Sequence, residues 1–312
     1  MLRNYYLACM HPILFTIPGM QVPVFSYGAI LGLAFVIGWF VVMHFAEKEG
    51  LPKDKIANVF LITTFSSMIG ARLMFIVTNP EMFADGGIAG ILNVRKGGSV
   101  TYGGFLGGFI ASLIYLRAVK IRFMAWADVA APAMALGTSI TRVGCLLYGC
   151  DYGLPISEEA PGWIKTLGVR FPNWQIKFPG LKERYADSLL GNSIDLSGSP
   201  AYIHHVKDGL VNRGAEYSAF VYPTQSLEIV NGLVALALLL LVRKQSKVSG
   251  AVFLAFTGYY GITRSLMEIL RGDMGRGSII GLSSSQLIGI VTTVLALTAY
   301  LVLRKQSKHL NP

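Results

Sequence analysis

Three arginines fall inside or at the ends of long apolar runs of this 312-residue chain: Arg72, Arg142 and Arg264. A charge at bilayer depth costs at least ~2.5–3.5 kcal/mol, so a guanidinium there marks either a function or an ion pair tying two helices together. Guanidinium is a rigid fork of N–H donors that matches phosphate oxygens, which makes recognition of an anionic phosphate the chemistry these residues suit. Glu228 and Glu268 are expected to offset two of the three charges, leaving positive charge for a ligand. Tyr260, Arg264, Glu268 and Arg271 stand at i, i+4, i+8 and i+11, and so share one helix face.

Two further clusters join these charges. Gly97-Gly98-Ser99-Val100-Thr101-Tyr102-Gly103-Gly104-Phe105-Leu106-Gly107-Gly108 either lets helices approach closely or presents backbone N–H groups to an anion. Thr141-Arg142-Val143-Gly144-Cys145-Leu146-Leu147-Tyr148-Gly149-Cys150-Asp151-Tyr152-Gly153 ends an apolar run in glycine turns. On a regular helix Cys145 and Cys150 would point to different faces, so two unpaired side chains are expected rather than a disulfide. With Cys9, the three cysteines are too few for a disulfide framework and lack zinc-ligand spacing, so no metal is expected. Leu7-Ala8-Cys9 faintly resembles a lipidation box, but no apolar run precedes it, and no cleavable signal peptide is evident.

The elements that must position these residues follow from composition. Hydrophobic residues make up 53% of the chain and charged residues 14%, against about 25% charged in a soluble domain. This predicts an all-α polytopic membrane protein of about seven spanning helices, because unsatisfied backbone cannot face lipid. The expected spans are approximately Phe25–Ala46, Ile56–Val77, Val100–Arg117, Met124–Leu147, Thr224–Val242, Gly250–Leu270 and Ile280–Leu303. The third is rich in glycine and the fourth interrupted by Pro132. The net charge of +10 is spread in short clusters, so it does not read as a nucleic-acid surface. Alternate connections carry twelve basic residues against five in the opposite short loops, which puts the N-terminus outside and the C-terminus in the cytoplasm. Three regions result: 1–150 with four spans, an outer head segment 151–222, and 223–312 with three spans. The head reads as short strands and turns, for example Gly168–Trp174, with Trp163 and Trp174 either at lipid headgroups or covering a small core.

Taken together, these residues resemble the bacterial phosphatidylglycerol–prolipoprotein diacylglyceryl transferases. The family segment G-R-x-G-N-F-x-N-x-E-x-x-G is similar in frame to Arg142 through Gly153, preceded by Asp128, Ala131-Pro132 and Leu136-Gly137. H-G-G-x-x-G resembles Tyr102-Gly103-Gly104-Phe105-Leu106-Gly107, and H-P-S-Q-x-x-E resembles Tyr222-Pro223-Thr224-Gln225-Ser226-Leu227-Glu228. Y-x-x-x-R-x-x-x-E resembles Tyr260, Arg264 and Glu268; G-L-S-x-x-Q resembles Gly281 to Gln286; Ser26-Tyr27-Gly28 and Ala71-Arg72 also fit. The departures are Tyr102 and Tyr222 at histidine positions, Cys145 at an asparagine and Cys150 at the acidic position.

The resemblance implies a multi-pass enzyme of the bacterial inner membrane. Phosphatidylglycerol would donate its diacylglyceryl group to the lipobox cysteine of a prolipoprotein signal peptide, forming a thioether and releasing glycerol phosphate. It implies no cofactor, and membrane lipids as surroundings. Arg142, Arg264 and Tyr102 would be catalytic, the arginines on the phosphate and Tyr102 orienting or deprotonating the thiol. Tyr27, Arg72, Gly103, Gly104, Gly144, Cys145, Gln225, Glu228, Tyr260 and Glu268 would bind substrate. Free phenols titrate near ~10, so tyrosine is a poorer base than histidine at neutral pH. The competing readings are a paralogue with another donor or acceptor, a transporter, and a non-catalytic lipid-binding protein; no internal repeat of the kind transporters show is visible.

Overall fold

The computed structural model describes residues 10–18, 22–83, 98, 100–177, 198–273, 278–279 and 281–310; Cys9 lies outside them. A short hairpin, β1 (Ile13–Ile17) and β2 (Val22–Phe25), opens the described chain. It leads directly into α1 (Ser26–Lys48), whose first residue is anchored by backbone N–H and hydroxyl donation to the Pro12 carbonyl. The long helices then follow in order: α2 (Lys53–Thr78), α3 (Thr101–Ala118) and α4 (Phe123–Tyr148). Beyond the outer segment come α8 (Thr224–Gln245), α9 (Ala251–Glu268) and α10 (Ser284–Leu310), the last preceded by a two-residue hairpin of β3 (Ser278–Ile279) and β4 (Leu282–Ser283).

The chain is an all-α polytopic membrane protein. Among the described residues, α1, α2, α4, α8 and α10 are long and apolar enough to cross a bilayer. The remaining two expected spans also fold as helices, α3 and α9 of 18 residues each. Glycines dilute the apolar run of α3, while Arg264, Glu268 and two tyrosines dilute that of α9. The expected interruption at Pro132 does not occur: α4 runs through it unbroken, as bilayer helices tolerate when neighbours compensate the lost backbone donor.

The chain forms two compact units. One draws on the described residues within 1–38, 130–186 and 194–312, the other on those within 39–129. In the first unit, α4, α8 and α9 meet through small and branched side chains: Ala131, Ala135, Ala235, Leu239, Val252 and Phe256. Lipid supplies no hydrophobic drive between helices, so close contact and interhelical hydrogen bonds must hold them. Ser139 Oγ accordingly donates to the Ile229 carbonyl at 2.8 Å, and Tyr259 Oη to Asn231 Oδ1 at 2.7 Å. Helices α9 and α10 touch backbone to backbone, where a Cβ on Gly289 would lie 2.6 Å from the Gly261 carbonyl oxygen.

The outer segment departs from the expected strands. Its described part holds short helices α5 (Gly162–Leu167), α6 (Trp174–Lys177) and α7 (Pro200–Lys207). They are linked by isolated bridges such as Val169 with Val221 and Pro172 with Tyr217. Met10, Tyr152, Val169, Phe171, Ala201 and Val221 form its core. Trp174 is buried at 3% exposure and packs edge-on against Tyr148, so it covers a core, whereas Trp163 is 67% exposed.

In the second unit, α2 and α3 pair along a stripe of small residues. A Cβ on Gly107 would sit 2.6 Å from the Ser66 carbonyl oxygen, and one on Gly104 3.2 Å from that of Ser67. Only hydrogen at Cα permits this approach.

Candidate active site

Arg142 lies two turns before the end of α4, which stops at Tyr148. Gly149 then takes φ +86° and Asp151 φ +56°, both left-handed, and the chain folds back on itself. Gln225 and Thr224, at the start of α8, clamp this turn: Gln225 Nε2 donates to the Cys150 carbonyl at 2.8 Å and Thr224 Oγ1 to that of Asp151 at 2.9 Å. The turn aims the Asp151 carboxylate back at α4, where one oxygen pairs with Arg142 Nη1 and the other with Arg271 Nη2. Arg142 Nε faces Glu228 Oε2 of α8 at 2.5 Å. Arg271 is further held by Asp273, with Nε to Oδ1 at 2.8 Å. One carboxylate thus joins the end of α4 to the chain beyond α9.

Burial by itself would raise the Asp151 carboxyl, but the Arg142 and Arg271 guanidiniums overcome it and hold it well below the usual carboxylate range. Burial disfavours the Arg271 cation, and its partners Asp273 and Asp151 more than restore it.

Arg264, on α9, pairs with Glu268 one turn on, Nη2 to Oε2 at 2.7 Å, and reaches Ser285 Oγ of α10 at 3.5 Å. Its Nη1 is buried and has no hydrogen-bond partner among the described residues. Burying a guanidinium N–H without a partner costs the full desolvation of that group, so the atom has capacity for a further acceptor. Tyr260, one turn earlier, stacks on Phe256 at 5.8 Å between centroids. Tyr27 packs on Gly144, where a Cβ would meet its ring carbon at 3.3 Å, and Cys145 Sγ donates to Asp151 Oδ2 at 3.3 Å.

The first unit therefore brings together Tyr27, Arg142, Gly144, Cys145, Gln225, Glu228, Tyr260, Arg264 and Glu268. Among the described residues the expected surplus of positive charge does not occur there. Arg142, Arg264 and Arg271 face Asp151, Glu228, Glu268 and Asp273, because buried charges must be paired or hydrogen-bonded. What remains for a ligand is a directional donor rather than a net field. Beside it, a cavity of about 350 Å³ is lined by residues including Asp208, Glu268, Arg271 and Asp273. Three carboxylates to one guanidinium suit an anion poorly.

Tyr102, Gly103, Gly104 and Arg72 belong to the second unit. Tyr102 stands in the first turn of α3 and is 44% exposed. Gly103 and Gly104 face α2, and a Cβ on Gly103 would run into the Gly70 carbonyl. Arg72 donates to the Gly98 carbonyl at 3.3 Å, with its guanidinium over Phe75 and Phe83 at 5.7 and 5.2 Å.

Sequence reasoning did not assign Asp151, Arg271 and Asp273 to the site. Arg271 was visible on the stripe of Tyr260, Arg264 and Glu268. Asp151 stands one residue after the position where the motif has its acid, and the left-handed turn at Gly149 returns its carboxylate to Arg142.

The chain matches the family model described as prolipoprotein diacylglyceryl transferase over residues 12–302. It is 26% identical over 301 residues to the phosphatidylglycerol–prolipoprotein diacylglyceryl transferase of Clostridium botulinum (strain Langeland), covering 96% of this chain and 100% of that protein. The like-named protein of Clostridium tetani is 27% identical over 292 residues, 93% and 97% of the two chains. That of Lysinibacillus sphaericus is 26% identical over 288 residues, 92% and 90%.

Proposed function

The chain belongs to the prolipoprotein diacylglyceryl transferase family, and from that premise we propose that it transfers the diacylglyceryl group of phosphatidylglycerol to the lipobox cysteine thiol of prolipoproteins. The sulfur attacks the glyceryl carbon bearing the phosphate ester. A C–S bond forms, the C–O bond to phosphate breaks, the thiol proton leaves, and glycerol phosphate departs. It is a multi-pass protein of the bacterial membrane, with its N-terminus outside and the head segment 151–222 on the outer face over the reacting groups.

The observation that carries this reading is the buried, unpartnered Nη1 of Arg264 among the described residues. A phosphodiester carries one negative charge and its departing monoester gains a second. A donor already fixed and desolvated stabilises that growing charge without reorganisation. The pair with Glu268 holds the fork so that Nη1 faces the phosphate. Arg142, fixed between Asp151 and Glu228, supplies the second guanidinium, and Tyr27, Tyr260, Gly144 and Cys145 shape the headgroup site around it. Gln225 acts through the turn it clamps. The resemblance assigns Tyr102 to the thiol and Arg72 to lipid phosphate, both residues of the second unit.

The test is label transfer from phosphatidylglycerol to a lipobox peptide by the reconstituted protein, paired with Arg264→Lys. Lysine retains charge for Glu268 but lacks the fork, and the rate is expected to fall about 10²–10³-fold, the usual effect of removing one preorganised donor. A folded wild-type protein that transfers nothing from phosphatidylglycerol but works with another lipid would establish the paralogue. Tyr102→Phe with full activity would remove the hydroxyl from the mechanism.

A further inference from the structure

We propose that Cys145 and Cys150 are a reversible thiol–disulfide pair, a modification site that sets how firmly Asp151 holds Arg142; its effect on transfer rests on the function proposed above. Regular helix would keep these side chains apart. Instead α4 ends at Tyr148, and the left-handed Gly149 returns the chain beneath the helix end. The N–H groups of Gly149 and Cys150 both donate to the Cys145 carbonyl, at 2.8 and 3.2 Å. The two sulfurs and a carboxylate oxygen of Asp151 consequently lie within 4.8 Å of one another, and both cysteines are free. Closing an S–S bond of ~2.05 Å needs a movement of no more than about 3 Å, within reach of side-chain rotation.

The same three ligands do not suit a metal ion here. Both oxygens of Asp151 are engaged by guanidiniums, those of Arg142 and Arg271, which leaves two sulfurs and no free carboxylate oxygen. Oxidation needs only the two sulfurs. The step is an exchange with an external disulfide, small-molecule or protein. Cys150, the more exposed of the pair, attacks as thiolate to give a mixed disulfide and release one thiol. Cys145 then attacks the Cys150 sulfur and expels the second thiol, so that the two electrons end on the oxidant and the two cysteine protons leave. Contact with the Cys145 thiol and burial push the Cys150 thiol up, so the exchange quickens as pH rises above neutrality.

The consequence lies one residue further on. In the reduced chain Cys145 donates to Asp151 Oδ2, the oxygen that pairs with Arg142. The disulfide removes that donor and draws Cys150, and with it Asp151, toward the helix end. The oxidised enzyme is the less active one.

The experiment uses the full chain carrying Cys9→Ser, reconstituted in phosphatidylglycerol vesicles and treated with glutathione disulfide. A non-reduced digest is expected to show the peptide bearing both cysteines lighter by two hydrogens. The transfer rate is expected to fall about tenfold, the loss of one charge-assisted hydrogen bond, and to return with dithiothreitol. In Cys150→Ala the oxidant is expected to leave the rate of that variant unchanged. Thiols that both remain open to alkylation after oxidation overturn the proposal, as does a cross-link that leaves the rate untouched. An untreated protein without transferase activity would sink the transfer reading instead, while the thiol mapping still decides the disulfide.

Discussion

Two helix junctions of this protein, one in each unit, are held together by opposite means. In the first, α4, α8 and the chain beyond α9 are joined by charge: Arg142 between Asp151 and Glu228, Arg271 between Asp151 and Asp273. In the second, α2 and α3 are joined by the absence of side chains, with Gly70, Gly103 and Gly107 bringing backbone against backbone. A charged network fixes direction, since each guanidinium has a defined fork and each carboxylate a defined partner. A glycine stripe fixes distance and leaves direction to the helix axes. Chemistry on a phosphate needs direction, and the orphaned donor of Arg264 accordingly sits in the first unit. Variants that unpair a charge and variants that add a methyl group test this division differently.

Arg142→Ala should have the largest effect. It strips a buried partner from both Asp151 and Glu228, and breaking a buried pair by removing one member costs about 3–5 kcal/mol. Thermal unfolding in detergent should show the loss alongside abolished transfer. A stable Arg142→Ala protein that lost only activity would mean the network is not what joins α4 to α8.

Gly103→Val acts through fold rather than chemistry. Its side chain meets the Gly70 carbonyl and Met74, and overpacking of this kind costs about 1–3 kcal/mol. The unfolding midpoint should fall while the KM for lipid in the surviving fraction stays unchanged. A raised KM with an unchanged midpoint would move Gly103 from helix packing to ligand approach and dissolve the contrast.

Asp151→Asn should cost less than Arg142→Ala, about 1.5–3 kcal/mol for the charged hydrogen bonds lost, because an amide can still meet one guanidinium. The pH dependence has a definite sign. The folded carboxyl is held below its ordinary value, so its stabilisation is fully present above the unfolded pKa of ~3.9 and is lost only as pH falls below that. Unfolding of the wild type should therefore show no pH dependence from this group between pH 5 and 8, and Asp151→Asn should flatten the acid limb below pH ~4.

These contrasts bear on what could be read from sequence. The long helices were legible, five of them apolar enough to cross a bilayer among the described residues, because apolar length is a property of the chain alone, and the arginines because a charge in an apolar run is conspicuous. Two things were not. Asp151 lies off the motif position, and its role depends on the positive φ of Gly149, which many glycines in this chain do not adopt. The balance of charge around Arg142 needed Asp151, whose second partner Arg271 lies 120 residues on and is met only after folding. The pairing of Gly103 with Gly70 was legible as an option, since close packing was one of two readings of the glycine run. Choosing between the readings required the neighbouring helix.

The last contrast concerns the buried histidine of the outer segment. His205 is 2% exposed, and its Nδ1 accepts from the Ala219 N–H at 3.2 Å. Burial and the neighbouring His204 lower its pKa to about 4, and Asp208 opposes them only in part. A depressed histidine is a group the folded state keeps neutral. Its stabilisation is complete above the unfolded value of ~6.5 and drains away between there and about pH 4. The core of Tyr152, Val169, Phe171 and Val221 should therefore loosen over a window in which the Asp151 network is still intact. Hydrogen exchange between pH 7 and 4.5 should show protection falling first at Ala219 and Val221, with amides of the Gly149 turn unaffected. Simultaneous loss at both places would mean that the outer core and the charged clamp unfold as one body. In that case the contrast between regions would hold for packing but not for stability.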